Sequence, residues 1–326
     1  MRLRPILLLL GAPLLLLAIV DRAVVLSGPH WRWVALEVPS GLLDPYRVEA
    51  ILRTTDPGPQ NVFILGDSTA AATLDTAALE HELDGRGLRF RTLSIGGAPT
   101  LTFAFLLNQI LVLQPSAIIL FVSPYALRSR HFYEYVHPYD ARVVRDLFTL
   151  QEVLDNAGFH LAGLFGQVNI LFRHRRSMQY AAAVRLEMNS WGALKAEQLR
   201  AELGIFAGAA QGPLQTWMKD RAPDSYENPN ARALDLIARR CGELGVKLLI
   251  VETLMQPTTA LVVGEERGQT FRARVRAIAD ARGVAFMTRA ELPALQDRDF
   301  ADHMHMNERG RQQVSGGVAA RLREIL

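Results

Sequence analysis

A single cysteine, Cys241, stands in the whole chain, so no intrachain disulfide can form. This does not exclude an oxidising compartment; it means only that the fold needs no disulfide there. Net charge is also small, with 36 Lys and Arg against 33 Asp and Glu. The net charge is +3 over 326 residues, and the one dense basic cluster is Arg173-His174-Arg175-Arg176, so the concentrated basic face of a nucleic-acid binder is missing. That cluster reads as a solvated helix face. Internal repeats are absent, and low-complexity sequence is confined to the N-terminal leucines. What is present is a globular composition: 49% hydrophobic and 21% charged residues support a sizeable core and argue against wholesale disorder. The length fits one large domain or two small ones.

Arg2 and Arg4 precede the leucine-rich run from Pro5 to Val20, which Asp21 and Arg22 close. Basic residues first and an apolar run second mark an export signal or a signal anchor, with the N-terminus held inside. The run falls short of the roughly 20 residues that comfortably span a bilayer, and Ala23–Leu26 can extend it. No clean small-x-small cleavage site follows, Val25-Leu26-Ser27 being a weak one. The expectation is an uncleaved anchor over residues 1–26, a cleaved signal being the alternative, with the rest of the chain outside the cytoplasm. Residues 27–58 are rich in proline and glycine and read as a connector. Trp31 and Trp33 suit a membrane–water interface or pack on the domain.

From residue 60 onward, apolar strands alternate with helical patterns. Strands are expected at Val62–Leu65, Phe90–Ile95, Ala117–Val122, Val246–Val251 and Val284–Met287. Helices are expected at Thr76–Leu83, Leu101–Leu113, Ala231–Leu244, Phe271–Ala281 and Glu308–Leu326. Repeated β–α alternation with near-continuous apolar strands implies an α/β protein, a parallel sheet with helices on both faces. About a hundred residues between the third strand and the helix at 231 break the rhythm, with aromatics and helical patterns around 140–156 and 177–203. This insertion, about 127–228, is expected over the carboxyl ends of the strands, as a lid or substrate platform or as structural helices.

Two short segments carry the chemistry. Val62-Phe63-Ile64-Leu65 stops abruptly at Gly66-Asp67-Ser68, which places the Ser68 hydroxyl at the carboxyl edge of the sheet and at the start of a helix. Gly-Asp-Ser alone is a weak signal, since serine is a common helix cap and Asp67 suits a turn. Near the end, Asp302 and His305 are three residues apart, so one tight turn can aim a carboxylate at Nδ1 and leave Nε2 for Ser68. His303 is the alternative base; Asn307 and Gly310 favour His305 as the anchor of the segment. Asp299, Asp302, His303 and His305 offer a metal-site reading, but no further His/Asp cluster supports it, and no cofactor is expected. His81, His131, His137, His160 and His174 read as surface or structural. There is no Gly-x-Ser-x-Gly, since Ala70 occupies the last place, which argues against the α/β-hydrolase fold.

Gly66-Asp67-Ser68 after a strand, Gly97 after the second strand, and Asp302-x-x-His305-x-Asn307-x-x-Gly310 together resemble blocks I, II and V of the SGNH/GDSL hydrolases. The resemblance covers about residues 60–126 and 231–326. It implies a flavodoxin-like three-layer sandwich of about five parallel strands. It implies Ser68 as nucleophile, Asp302 and His305 as its partners, and the amides of Ser68 and Gly97 as oxyanion donors. Asp67, Ser123, Tyr125 and Asn307 are candidate substrate contacts. One departure is clear: block III calls for Gly-x-Asn-Asp after the third strand, where this chain has Phe121-Val122-Ser123-Pro124-Tyr125. The oxyanion-donating asparagine is absent, with Ser123, Asn108 or an insertion residue as substitutes. Anchor, insertion and missing asparagine are similar in arrangement to the membrane-anchored SGNH-type proteins of alginate O-acetylation and teichoic acid D-alanylation. Such a protein is expected to act as an esterase or O-acyltransferase on acyl, by analogy acetyl, esters of a cell-envelope or exported polysaccharide, with a possible envelope-biosynthesis partner. The other expectation is a degenerate member that binds polysaccharide or such a partner without catalysis.

Overall fold

The computed structural model describes Leu15, Leu16, Ile19 and residues 44–127, 139–168 and 228–326. In chain order the elements are α1 (Asp44–Thr54), β1 (Asn61–Gly66), α2 (Ser68–Thr73), α3 (Thr76–Glu82), β2 (Arg89–Ser94), α4 (Thr100–Val112) and β3 (Ala117–Val122). Three helices follow within the insertion, α5 (Ala141–Leu147), α6 (Leu150–Asp155) and α7 (Ala157–Val168). The chain closes with α8 (Pro229–Glu243), β4 (Lys247–Glu252), α9 (Pro257–Val263), α10 (Glu265–Arg282), β5 (Ala285–Met287), a 3₁₀ turn (Asp297–Asp299) and α11 (Glu308–Ile325).

The five strands form one parallel sheet in the order β2-β1-β3-β4-β5. This is the doubly wound order whose strand reversal opens a crevice at the carboxyl edge, next to the first strand. Gly66 pairs with Ser94 and Leu65 with Leu120, so the turns after β1, β2 and β3 leave the sheet side by side.

Strand residues alternate between two cores because successive side chains point to opposite faces. Phe63, Leu65, Leu93, Ile118, Leu120, Leu248 and Ile250 face one layer with α1, α4, α8 and α10. Val62, Ile64, Ile119, Phe121, Leu249 and Val251 face the other with α2, α3 and α11. The strands β1 and β3 are buried on both sides, which is why they read as continuous apolar runs. Each such Val, Leu, Ile or Phe contributes about 1.5–3 kcal/mol by leaving water. Cys241 lies wholly inside the first core, where burial pushes its thiol up to about 12.

The connector expectation is corrected here, and the insertion is described only in part. Residues 44–54 of the expected connector form α1, with Val48 and Leu52 in the core. Asp44-Pro45 is a helix-starting pair, and apolar residues at an i, i+4 spacing follow it. The described part of the insertion, meanwhile, does not lie across the strand ends. Tyr139 stacks on Phe105 of α4 at 5.4 Å, and Asp140 accepts the Asn108 side-chain amide at 2.6 Å. Glu152 pairs with Arg232 of α8 at 2.6 Å. Phe105 and the aromatic cluster of Tyr139, Phe148, Phe159 and His160 draw this segment onto the flank of α4 and α8. The helical pattern at 177–203, the clustered basic residues at 173–176 and both N-terminal tryptophans lie outside the described residues, as does most of the expected anchor. Among the described residues, no helix is long and apolar enough to cross a membrane.

At Gly66, φ is 158° and an added Cβ would lie 2.6 Å from Ala70 Cβ and 3.0 Å from Phe121 Cβ. Strand, turn and α2 therefore close on this position with no room for a side chain. Gly66→Ala is expected to lower stability by about 1–3 kcal/mol through overpacking, read as a fall in the urea midpoint at unchanged slope.

Candidate active site

The first half of the site is the turn between β1 and α2. Asp67 caps α2: its Oδ1 accepts the Thr69 amide at 2.9 Å and also the Thr69 hydroxyl. That commits the buried carboxylate to the underside of the turn. Ser68 is the first residue of α2 and is half-buried. Beside it, the Ile95 amide donates to the Gly66 carbonyl at 3.1 Å, joining the end of β2 to the same turn. Gly97 then takes φ 67°, a left-handed conformation that favours glycine. The amides of Ser68 and Gly97 donate to no described residue.

The second half is the loop 299–307. Phe300 and Met306 form an antiparallel bridge, the Ala301 amide donates to the His305 carbonyl at 2.7 Å, and the Asn307 amide donates to the Asp299 carbonyl at 3.1 Å. Within this narrow loop, Asp302 Oδ1 accepts the amides of Met304 (2.9 Å) and His305 (2.8 Å). The carboxylate, fixed by its own turn, meets His305 Nδ1 at 2.8 Å through Oδ2 and 3.0 Å through Oδ1. His305 Nε2 lies 2.9 Å from Ser68 Oγ, across 237 positions of sequence. With Nδ1–H donated to the carboxylate, Nε2 is the basic nitrogen and accepts the serine hydroxyl.

Electrostatics follow the same geometry. Burial alone would raise the Asp302 carboxyl; the amides of Met304 and His305 and the imidazole reverse this and hold it below the usual range. His305, not His303, meets the serine: the Nδ1 of His303 is 3.7 Å from Asp302 Oδ1, and its carbonyl accepts the Gln256 amide at 3.0 Å. Burial depresses His303 despite the Asp302 charge beside it, with His305 adding to the depression. Among the described residues, no group of three or more His, Cys, Asp or Glu side chains is placed to hold a metal ion.

Several residues offered as substrate contacts are employed by the fold. Asn307 caps α11 by accepting the Gly310 amide at 3.2 Å, and its own amide donates to the Arg298 carbonyl at 2.7 Å. Ser123 is fully buried with Oγ accepting the Ala126 amide at 3.0 Å. Asn108 is spent on Asp140, on the flank of the sheet rather than at its carboxyl edge, which removes it as an oxyanion donor. Tyr125 is half-buried just past β3. Gly310 is explained by packing: a Cβ there would collide with the Asp299 carbonyl oxygen. Sequence reasoning missed Asp44, whose Oδ2 accepts the Gly96 amide at 2.9 Å. Its one signal is the acid-proline start of α1, obscured by the prolines and glycines around it.

No protein-family model matches this chain, and no curated protein matches it by sequence. Among solved structures, a GDSL-like lipase from Bacteroides thetaiotaomicron is similar over 88% of this chain and 100% of its own, at 10% identity and a TM-score of 0.42. TesA is similar over 82% of this chain and 99% of its own, at 15% identity and a TM-score of 0.41.

Asp302→Asn tests the electrostatics. A carboxyl held below its usual value contributes stability above the unfolded-state value of about 3.8. That contribution is lost as pH falls through the lower folded value. The variant is therefore expected to be less stable than wild type at pH 7, with the difference closing below about pH 4, as followed by urea unfolding across pH.

Proposed function

We propose that this protein is a serine-dependent ester hydrolase or O-acyltransferase of the SGNH type, with Ser68, His305 and Asp302 as its catalytic residues. The observation that carries this reading is the continuous chain from Ser68 Oγ to His305 Nε2 (2.9 Å) and from Nδ1 to Asp302 (2.8 Å) at the carboxyl edge of the sheet.

In this mechanism Ser68 Oγ attacks the ester carbonyl carbon as its proton passes to His305 Nε2. The amides of Ser68 and Gly97 donate to the oxyanion that forms. Asp302 holds the imidazole in the required tautomer and offsets its positive charge. Collapse of the tetrahedral intermediate breaks the ester C–O bond, and His305 returns the proton to the departing alkoxide. An acceptor hydroxyl then gives its proton to His305 and attacks the acyl-serine, releasing the acyl group to that acceptor and the proton back to Ser68. Water as acceptor makes the protein an esterase; a sugar hydroxyl makes it a transferase.

The finer reading is of an enzyme anchored by its N-terminal apolar run, acting outside the cytoplasm on acetyl or similar esters of an envelope or exported polysaccharide. The basic-then-apolar N-terminus supports the location. A second reading, a binding protein without catalysis, draws support from the third strand's end, where Ser123 stands in place of an asparagine donor with its hydroxyl turned to Ala126. Loss of one such donor costs on the order of 10²–10³ in rate.

The test is turnover of 4-nitrophenyl acetate by the purified full chain. Ser68→Ala is expected to remove about 10³-fold or more of the activity, and a fluorophosphonate probe is expected to label wild type and not the variant. A folded wild type that neither turns over the ester nor takes the label would overturn the catalytic reading in favour of binding.

A further inference from the structure

Asp44 opens α1, and its carboxylate reaches the loop after β2, where Oδ2 accepts the Gly96 amide at 2.9 Å. Arg47 lies 3.5 Å from the other oxygen. The Asp44 side chain is only 16% exposed. Burial pushes its carboxyl up to about 6, against the pull of the Gly96 amide and of Arg47. A charged group kept in an environment that disfavours it is more frequent at functional sites than elsewhere.

The loop it grips is the one that carries Gly97. Gly96-Gly97 is a dipeptide with the widest backbone freedom available to a chain. Its flanks are tied on both sides, by the Ile95 amide on the Gly66 carbonyl (3.1 Å) and the Ala98 amide on the Ile95 carbonyl (3.0 Å). Between those ties, the hydrogen bond to Asp44 is the one side-chain contact among the described residues that fixes a peptide plane of the pair. Holding the Gly96 N–H sets the plane preceding Gly96 and limits how the next one, which presents the Gly97 N–H, can swing.

We propose that Asp44 is a positioning residue for the Gly97 amide, orienting the Gly96–Gly97 loop so that this N–H is aimed before substrate arrives. The role rests on the catalytic reading of Ser68, because a preformed donor acts only if an oxyanion develops there. It also brings α1, outside the three catalytic side chains, into the geometry of the reaction.

The experiment measures 4-nitrophenyl acetate kinetics and thermal unfolding for the full-length wild type, Asp44→Ala and Asp44→Asn, with Ser68→Ala as the baseline. Asp44→Ala is expected to lower kcat by about tenfold or more, part of the 10²–10³ lost when a donor is removed outright, with KM within about twofold. Asp44→Asn keeps an acceptor oxygen for the Gly96 amide and is expected within about threefold of wild-type kcat. It also sheds a charge that burial disfavours, so its Tm at pH 7.5 is expected to hold or rise. Wild-type kcat in Asp44→Ala, or equal losses in the alanine and asparagine variants, would overturn the role. If Asp44→Ala does not fold, Asp44→Glu keeps the acid at the helix start but displaces the acceptor by one methylene. A fall in its kcat at unchanged Tm supports the role, and wild-type kcat reduces Asp44 to a structural brace. Absence of Ser68-dependent turnover in the wild type would instead overturn the catalytic reading, and this role with it.

Discussion

The arrangement depends on one close approach, that of the first turn of α11 to the carbonyl of Asp299. Only glycine fits at position 310, because any Cβ would enter the space of that oxygen. With the helix seated, Asn307 caps it and reaches back to Arg298, the Asn307 amide takes the Asp299 carbonyl, and the loop between is drawn into a narrow bridge. Asp302 and His305 then have little freedom left. The rest of α11 secures the seat: Val314, Val318 and Leu322 are in the core, and the Ser315 hydroxyl accepts the amide of Asp75, the residue that caps α3, at 2.9 Å. The histidine is thus placed by a helix docking on the same sheet face as the helix that begins with the serine.

Two carboxylates, Asp302 half-exposed and Asp44 largely covered, show how environment, rather than residue type, decides a charge. Burial raises both Asp302 and Asp44. Asp302 gathers two backbone amides and an imidazole and ends below its usual value. Asp44 has one amide and a more distant guanidinium and ends well above it. In the proposed reaction the first is the group that stays anionic beside a base, and the second the one retained for the geometry of its hydrogen bond.

Much of this was legible in the sequence. Strands buried on both faces are continuous apolar runs, so β1, β3 and β4 stood out, and the spacing of Asp302, His305, Asn307 and Gly310 pointed to a tight loop ahead of a helix. What was not legible has a common cause. A polar residue at the carboxyl edge of a sheet looks the same in sequence whether it serves a ligand or caps a helix. Asp67, Ser123 and Asn307 prove to be bound to backbone. Proline and glycine density hid α1, whose helical character rests on a start signal and two apolar positions. The insertion's helices were visible around 140–156, but their place was not, since it follows from contacts of Phe105 and Asn108 with residues more than thirty positions away.

The serine and the histidine it touches are separated by 237 positions. At about 5–20 residues per second, a ribosome takes roughly 12–47 s to add that stretch. Throughout that interval the growing chain holds Ser68 without the imidazole it meets in the folded protein. The hydroxyl gains its partner only once α11 has been made and seated, so the pair is absent from every nascent chain that stops short of that helix.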